Sequence, residues 1–267
     1  MEWTQHLFMR NALMGVLLVT PIFGILGTMV VNNKMAFFSD AIGHSALTGI
    51  AIGVILGINN PLWSMLCFAA VLAIAITMVK NANTASADTI IGVSSSTAVA
   101  LGITILSIRG GFSKYSVYLI GDLLSISSSD LIMLAILFII IIILWVTVFN
   151  KILIVSVNQS LARSRGINTK FYEYLFTMLM AIVVTISIRW VGILIISSLL
   201  VLPAAAARNI SQNVRQYHMC SIFIAIFSGV SGLILSYFSG TASGATIVLI
   251  AACFYILTLL LKQKFRF

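Results

Sequence analysis

DLIMLAILFIIIIILWVTVF, residues 130–149, opens on Asp130 and then runs nineteen residues without a charge. A bilayer core is crossed by about 20 apolar residues at about 1.5 Å rise per residue. The stretch is apolar on every face, and a helix of that kind is buried or spans a membrane. The same reading extends outward along the chain. Nine apolar segments stand at 9–31, 41–57, 62–80, 88–108, 130–149, 172–188, 191–206, 218–237 and 242–261. Two of them, 41–57 and 191–206, fall short of a full span, so eight or nine crossings are expected. Backbone groups in lipid must be satisfied within the segment, which requires helices. No ten-residue alternation suggests a membrane barrel. The expected fold class is all-α integral membrane: a polytopic bundle forming one domain over residues 1–267.

Composition excludes the soluble classes. The chain is 61% hydrophobic and 8% charged, with mean hydropathy +1.15, where a soluble surface needs roughly 25% charge. The net charge of +9, from 15 basic and 6 acidic residues, comes from side chains scattered between apolar segments. Scattered Lys and Arg report topology, not a nucleic-acid patch. With nine crossings and an inner C-terminus, 11 of the 15 basic residues fall inside, leaving Arg10, Arg109, Lys114 and Arg189 outside. The positive-inside rule therefore places the N-terminus outside and the C-terminus in the cytoplasm. Residues 7–31 are too long for a signal-peptide core and lack a basic leader, so they read as a retained first helix. Cys67, Cys220 and Cys253 form no C-x-x-C pair and read as small buried apolar side chains.

Two polar segments are long enough to hold structure. Residues 109–129, on the outer side, carry Lys114, Tyr115, Tyr118 and Asp122 and suit an interfacial amphipathic helix. Residues 150–171, on the inner side, carry Lys151, Arg163, Arg165 and Lys170 and no acid. Gly49, Gly53 and Gly57 recur four apart, a spacing that lets helix backbones approach closely. Pro203 is expected to end or kink the segment before it.

The acids are Glu2, Asp40, Asp88, Asp122, Asp130 and Glu173. Asp88 and Asp130 begin helices and complement the helix dipole. His6 and His218 sit near helix starts with no acid beside them and read as interfacial. Asp122 can attract cations at the outer mouth. Asp40 differs because His44 follows four residues later in an otherwise apolar run, FSDAIGHSALTGIAIG. A helix puts positions i and i+4 on one face, and a carboxylate with an imidazole can share a divalent ion. The other reading is a neutral His44 hydrogen-bonded to Asp40 with a purely structural role. An ionisable pair inside a membrane domain is costly unless it faces a partner or water. No G-x-x-x-x-G-K-[ST] is present, so ATP-driven transport needs a second chain; nor is there an H-E-x-x-H or G-x-S-x-G.

Four stretches, in order, resemble the metal-cation permeases of ABC importers for zinc, manganese or iron. They are Met35–Leu47 with Gly49, then Tyr118–Leu124, then Leu161-Ala162-Arg163 with Gly166-Ile167, and finally Val191–Ala205 closed by Ala207-Arg208. The resemblance covers about Phe8 to Leu260. Small departures are Ser39 for a common Gly, Gly43 for Ser or Ala, and Asn158 for Asp in some members. The pattern around Asn158, with GDLL and SSLLVLPAA, leans toward the zinc branch. What the resemblance implies is a bundle similar to cobalamin-type (type II) importer permeases, working by alternating access in a homodimer or a pair of similar permeases. It further implies cytoplasmic ATPase subunits, an extracellular or periplasmic metal-binding protein, and a multi-pass place in the cell membrane. By the same resemblance Asp40 and His44 are the metal pair, and Leu161, Ala162, Arg163, Arg165 and Gly166 belong to the segment that meets the ATPase. Zn²⁺ or Mn²⁺ is then cargo, and no permanently bound cofactor is expected. Two other readings stay open: an importer of a metal chelate or cobalamin-like ligand, and a proton-coupled secondary metal transporter. A third is a membrane subunit with only a structural or enzyme-partner role.

Overall fold

The computed structural model describes residues 6–82, 85–108, 115 and 117–265. Its helices, in order, are α1 (Leu7–Asn32), α2 (Ala36–Ile55), α3 (Pro61–Asn81), α4 (Ala87–Ile108), the short α5 (Val117–Ile120), a 3-10 turn (Leu123–Ser125), α6 (Ser128–Val157), α7 (Gln159–Ser164), α8 (Thr169–Val191), α9 (Ile193–Ile210), α10 (Val214–Ser239) and α11 (Ser243–Phe265). Among the described residues eight are long and apolar enough to cross a membrane, and a shorter apolar helix lies within α9. Every apolar segment of the sequence corresponds to one of these helices.

Polar residues between the spans set the helix starts. The side chains of Asn158, Asn168 and Asn213 accept from the backbone N–H of Leu161, Phe171 and Gln216 at 3.0, 3.1 and 2.9 Å. Asn60 does the same for Leu62 ahead of Pro61, which needs no donor at the first helical position. At α6, Ser127 and Asp130 cap reciprocally. The Asp130 carboxylate accepts from the Ser127 N–H at 3.1 Å, and the Ser127 hydroxyl accepts from the Asp130 N–H at 3.3 Å. Gly192, at φ 89°, separates α8 from α9 in a single residue.

Several local expectations are corrected. The cysteines are not buried: Cys67 and Cys253 are exposed and Cys220 is half-buried. Pro203 does not end its helix: α9 runs from Ile193 through it to Ile210. Proline removes one donor, and in an apolar setting the flanking groups have no water to turn to, so the helical bonds persist around it. Gly57 takes no part in close packing, since a side-chain carbon there would meet nothing within 4 Å; its φ of 70° instead ends α2. The polar segment after α4 is no continuous amphipathic helix: residues 117–127 hold only α5 and the 3-10 turn, and α6 begins at Ser128; Arg109 and Lys114 lie outside the described residues.

The chain divides into two compact units. One comprises Met1–Lys34, Gly121–Thr147 and Ser198–Phe267. In it α1 packs along α10, α10 packs along α11, and the 3-10 turn rests on α1. His218 is buried here rather than interfacial. Its Nε2 lies 2.9 Å from the Thr28 hydroxyl, its Nδ1 lies 2.8 Å from the Val214 carbonyl, and its ring packs beside Trp145 and Tyr217. Any Cβ at Gly27 would overlap the Leu200 carbonyl oxygen, so α1 runs directly against the α9 backbone.

The other unit comprises Met35–Ile120 and Val148–Ser197. Its centre is α2, which packs on α3, α4 and α8. A Cβ at Gly49 would stand 2.7 Å from the Met65 Cα, a backbone atom that cannot swing away. Gly49→Ala is therefore expected to destabilise the protein by about 1–3 kcal/mol. A melting curve in detergent that matches wild type would show that α2 and α3 do not pack this closely.

Candidate metal-ion site

Asp40 and His44 do not open α2, because the helix begins at Ala36 and places Asp40 in its second turn. From Phe38 to Ala51 every other residue of α2 is buried, while the Asp40 and His44 side chains keep 39% and 28% of their surface open. The pair is therefore the polar, accessible strip of an otherwise enclosed stretch of α2. His44 Nε2 lies 3.5 Å from Asp40 Oδ1. That is long for a hydrogen bond, whose heavy atoms sit at about 2.7–3.2 Å.

The start of α9 completes the cluster. Gly43 faces Ile193 and Ile196, whose nearest atoms would stand 3.4–3.7 Å from a Cβ at that position. With α2 that close to the first turn of α9, the Ser197 hydroxyl donates to Asp40 Oδ1 at 3.3 Å. Ser197 was not singled out from the sequence. The signal was present as Ser197-Ser198, two hydroxyls in an apolar run. Among the described residues no three His, Cys, Asp or Glu side chains gather around one point. One chain thus places a carboxylate and an imidazole side by side, with a hydroxyl donating to the carboxylate.

The other candidates occupy separate places. Asp122 caps the 3-10 turn, its Oδ1 accepting from the Leu124 N–H at 3.0 Å, and it is exposed. Nearby in sequence, burial pushes the Tyr118 phenol above its ordinary pKa against the pull of Arg189, so it stays neutral. Leu161, Ala162, Arg163, Arg165 and Gly166 form α7 and its C-terminal cap. The Ile167 N–H donates to the Ala162 carbonyl and the Gly166 N–H to the Arg163 carbonyl, both at 3.0 Å, with Gly166 at φ 72°. This is a Schellman closure, which requires the left-handed residue that glycine supplies. Ala162 is buried, while Leu161 is 44% exposed although apolar, and Arg163 and Arg165 are exposed. Asn158, which departs from the family's pattern, caps α7 as an aspartate would. Beside α7 a polar cavity of about 280 Å³ is lined by Arg163, Lys170 and the Lys80–Glu173 ion pair.

Comparison with known proteins settles the family. The model of the ABC 3 transport family matches residues 5–262. The chain belongs to that family. Among similar proteins, the High-affinity zinc uptake system membrane protein ZnuB of Haemophilus influenzae is 34% identical, with 95% of this chain and 97% of that protein covered. The Manganese transport system membrane protein MntC of Listeria monocytogenes is 29% identical over 97% of this chain and 92% of its own. Among solved structures, PsaBC from Streptococcus pneumoniae in complex with Fab has TM-score 0.84 at 29% identity, covering 96% of this chain and 92% of that chain. As an ABC 3 member the chain is a multi-pass membrane transport subunit and not itself an enzyme; ATP hydrolysis belongs to a separate chain.

Proposed function

We propose that this chain is the membrane-spanning permease of an ATP-driven importer for Zn²⁺ or Mn²⁺, with Asp40 and His44 as ligands on the ion's path. The 3.5 Å between Asp40 Oδ1 and His44 Nε2 carries this reading. Two ligands of a tetrahedral ion with bonds of about 2.0–2.1 Å sit roughly 3.3 Å apart. The pair is thus spaced for an ion between them and too far apart for a strong bond to each other. The zinc and manganese systems named among the relatives support the same cargo.

A second copy, or a similar permease, supplies the other half of the coordination. Two Asp40 and two His44 side chains make an N₂O₂ set about a two-fold axis, suited to Zn²⁺ and, with added water or carbonyl oxygens, to Mn²⁺. Carboxylate and imidazole without thiolate keep the site weak enough to release what it binds. A cytoplasmic ATPase docks on α7, where Leu161, Arg163 and Arg165 are exposed, and an extracellular or periplasmic binding protein delivers the ion past Asp122. The C-terminus is cytoplasmic, and residues 1–267 act as one permease domain.

The test is reconstitution of the chain with its candidate ATPase in vesicles, with Zn²⁺ and Mn²⁺ competing for uptake. ATP-dependent accumulation of one ion over the other supports the proposal and identifies the cargo. An ATPase that binds and hydrolyses while neither ion moves favours a chelate importer.

A further inference from the structure

The unit built from α1, α10 and α11 holds an apolar groove of about 540 Å³, within the range of about 300–1,000 Å³ typical of small-ligand sites. Its walls are Ile210 at the end of α9, Cys220 and Phe223 of α10, and Phe254, Leu257 and Leu261 of α11. Almost nothing polar faces the interior. The end of the groove near the α10 N-terminus has a different character. Arg215 lies one turn before Met219, and Lys262 lies one turn after Thr258; Met219 and Thr258 both line the groove. Helical spacing puts both cations on groove-facing strips of their helices at its mouth. Both are exposed, and neither has an ion-pair partner among the described residues. None is available nearby in sequence, because no acidic residue follows Glu173. The α10 N-terminus adds the partial positive charge of a 26-residue helix at the same end.

We infer that this groove is a binding site for an anionic phospholipid, with an acyl chain lying along α10 and α11 and its phosphate between Arg215 and Lys262. An apolar trough with an uncompensated cationic mouth fits an amphiphile of opposite charge. It does not fit a zwitterionic lipid equally well, because a choline or ethanolamine group brings its own cation to the mouth. A second copy of this chain docking face to face would bring the same cations and the same absence of acids. Basic pockets between membrane helices take up anionic head groups by this combination.

The experiment uses the purified full chain in detergent. Phosphatidylglycerol and phosphatidylcholine with identical acyl chains are added in equal amounts, and retained lipid is counted by native mass spectrometry. Wild type is expected to keep phosphatidylglycerol preferentially. Arg215→Gln with Lys262→Gln should reduce that preference roughly thirtyfold, given the contribution of two basic side chains at an anionic surface. Leu257→Trp, at a position 56% exposed, lets an indole occupy the trough and should lower retention of both lipids. A melting temperature in phosphatidylcholine close to wild type confirms that each variant is folded. Equal retention of the two lipids by wild type overturns the inference. So does a preference that survives the double substitution, or a lipid-free dimer that Leu257→Trp disrupts.

Discussion

His44→Ala is expected to lower ATP-driven metal uptake by at least about a hundredfold while the permease still folds and binds its ATPase. Loss of a residue that only supports a metal ligand costs about 10–100-fold in affinity or activity. A direct ligand, removed from both halves of the proposed shared site, should cost more. The side chain is 28% exposed and holds no core position, so its truncation leaves the packing of α2 in place. Asp40→Asn should be equally damaging for transport, since it keeps the shape and the contact with Ser197 but removes the charge. Ser197→Ala offers the contrast. Ser197 touches Asp40 at 3.3 Å without being one of the pair, so under the proposed function it would position Asp40, and its loss should cost about tenfold or less. Uptake measured on all three, with ATPase co-purification as the folding control, separates the roles. Wild-type uptake by His44→Ala would leave the pair with only a structural role.

The span pattern was legible because lipid imposes it. A charge inside a bilayer is so costly that nearly every charged side chain falls at a helix end or outside the spans, and hydropathy marks the boundaries. Where boundaries were missed, the cause was local. Asp40 looked like the start of a helix because polar residues usually are, yet α2 starts at Ala36 and carries the carboxylate inside its second turn. Residue 149 looked like an end because Asn150 and Lys151 follow it. The α6 helix continues to Val157, with the Lys151 ammonium 5.6 Å from the centre of the Tyr172 ring. His218 looked interfacial because no acid is near it in sequence. Its partner is the hydroxyl of Thr28, 190 residues earlier, which only the packing of α1 against α10 brings within reach.

The site itself was half legible. The i, i+4 spacing of Asp40 and His44 is a helical fact, and it put both on one face before any packing was known. Ser197 lies 157 residues away from Asp40, and local periodicity carries no information about such contacts. Its position depends on Gly192, at φ 89°, turning the chain between α8 and α9 in one residue. That glycine was visible in the sequence, but its geometric consequence was not.

Glu173→Ala should destabilise the protein by about 2–3 kcal/mol, and the second partner should decide how much of that loss persists. Lys80 Nζ and Glu173 Oε1 lie 2.7 Å apart, joining α3 to α8 with the side chains only 27% and 10% exposed. Removing one partner from a fully buried pair costs about 3–5 kcal/mol, because the remaining charge loses its compensation. Here the orphaned ammonium is 27% exposed and keeps some hydration, which lowers the penalty to the smaller figure. The contact between the Thr77 and Thr177 hydroxyls, 3.1 Å apart on the same two helices, remains in the variant and keeps α3 and α8 in register. If the loss comes from stranding a charge, Lys80→Met combined with Glu173→Leu should return to within about 1 kcal/mol of wild type, as apolar replacements of buried ion pairs often do. The measurement is a cycle of melting temperatures in one detergent for Lys80→Met, Glu173→Leu and the two combined. A double variant as unstable as the two single losses added together would mean that Lys80 and Glu173 contribute separately. The α3–α8 contact would then be held by the apolar packing and the threonine pair, with the ion pair adding nothing to it.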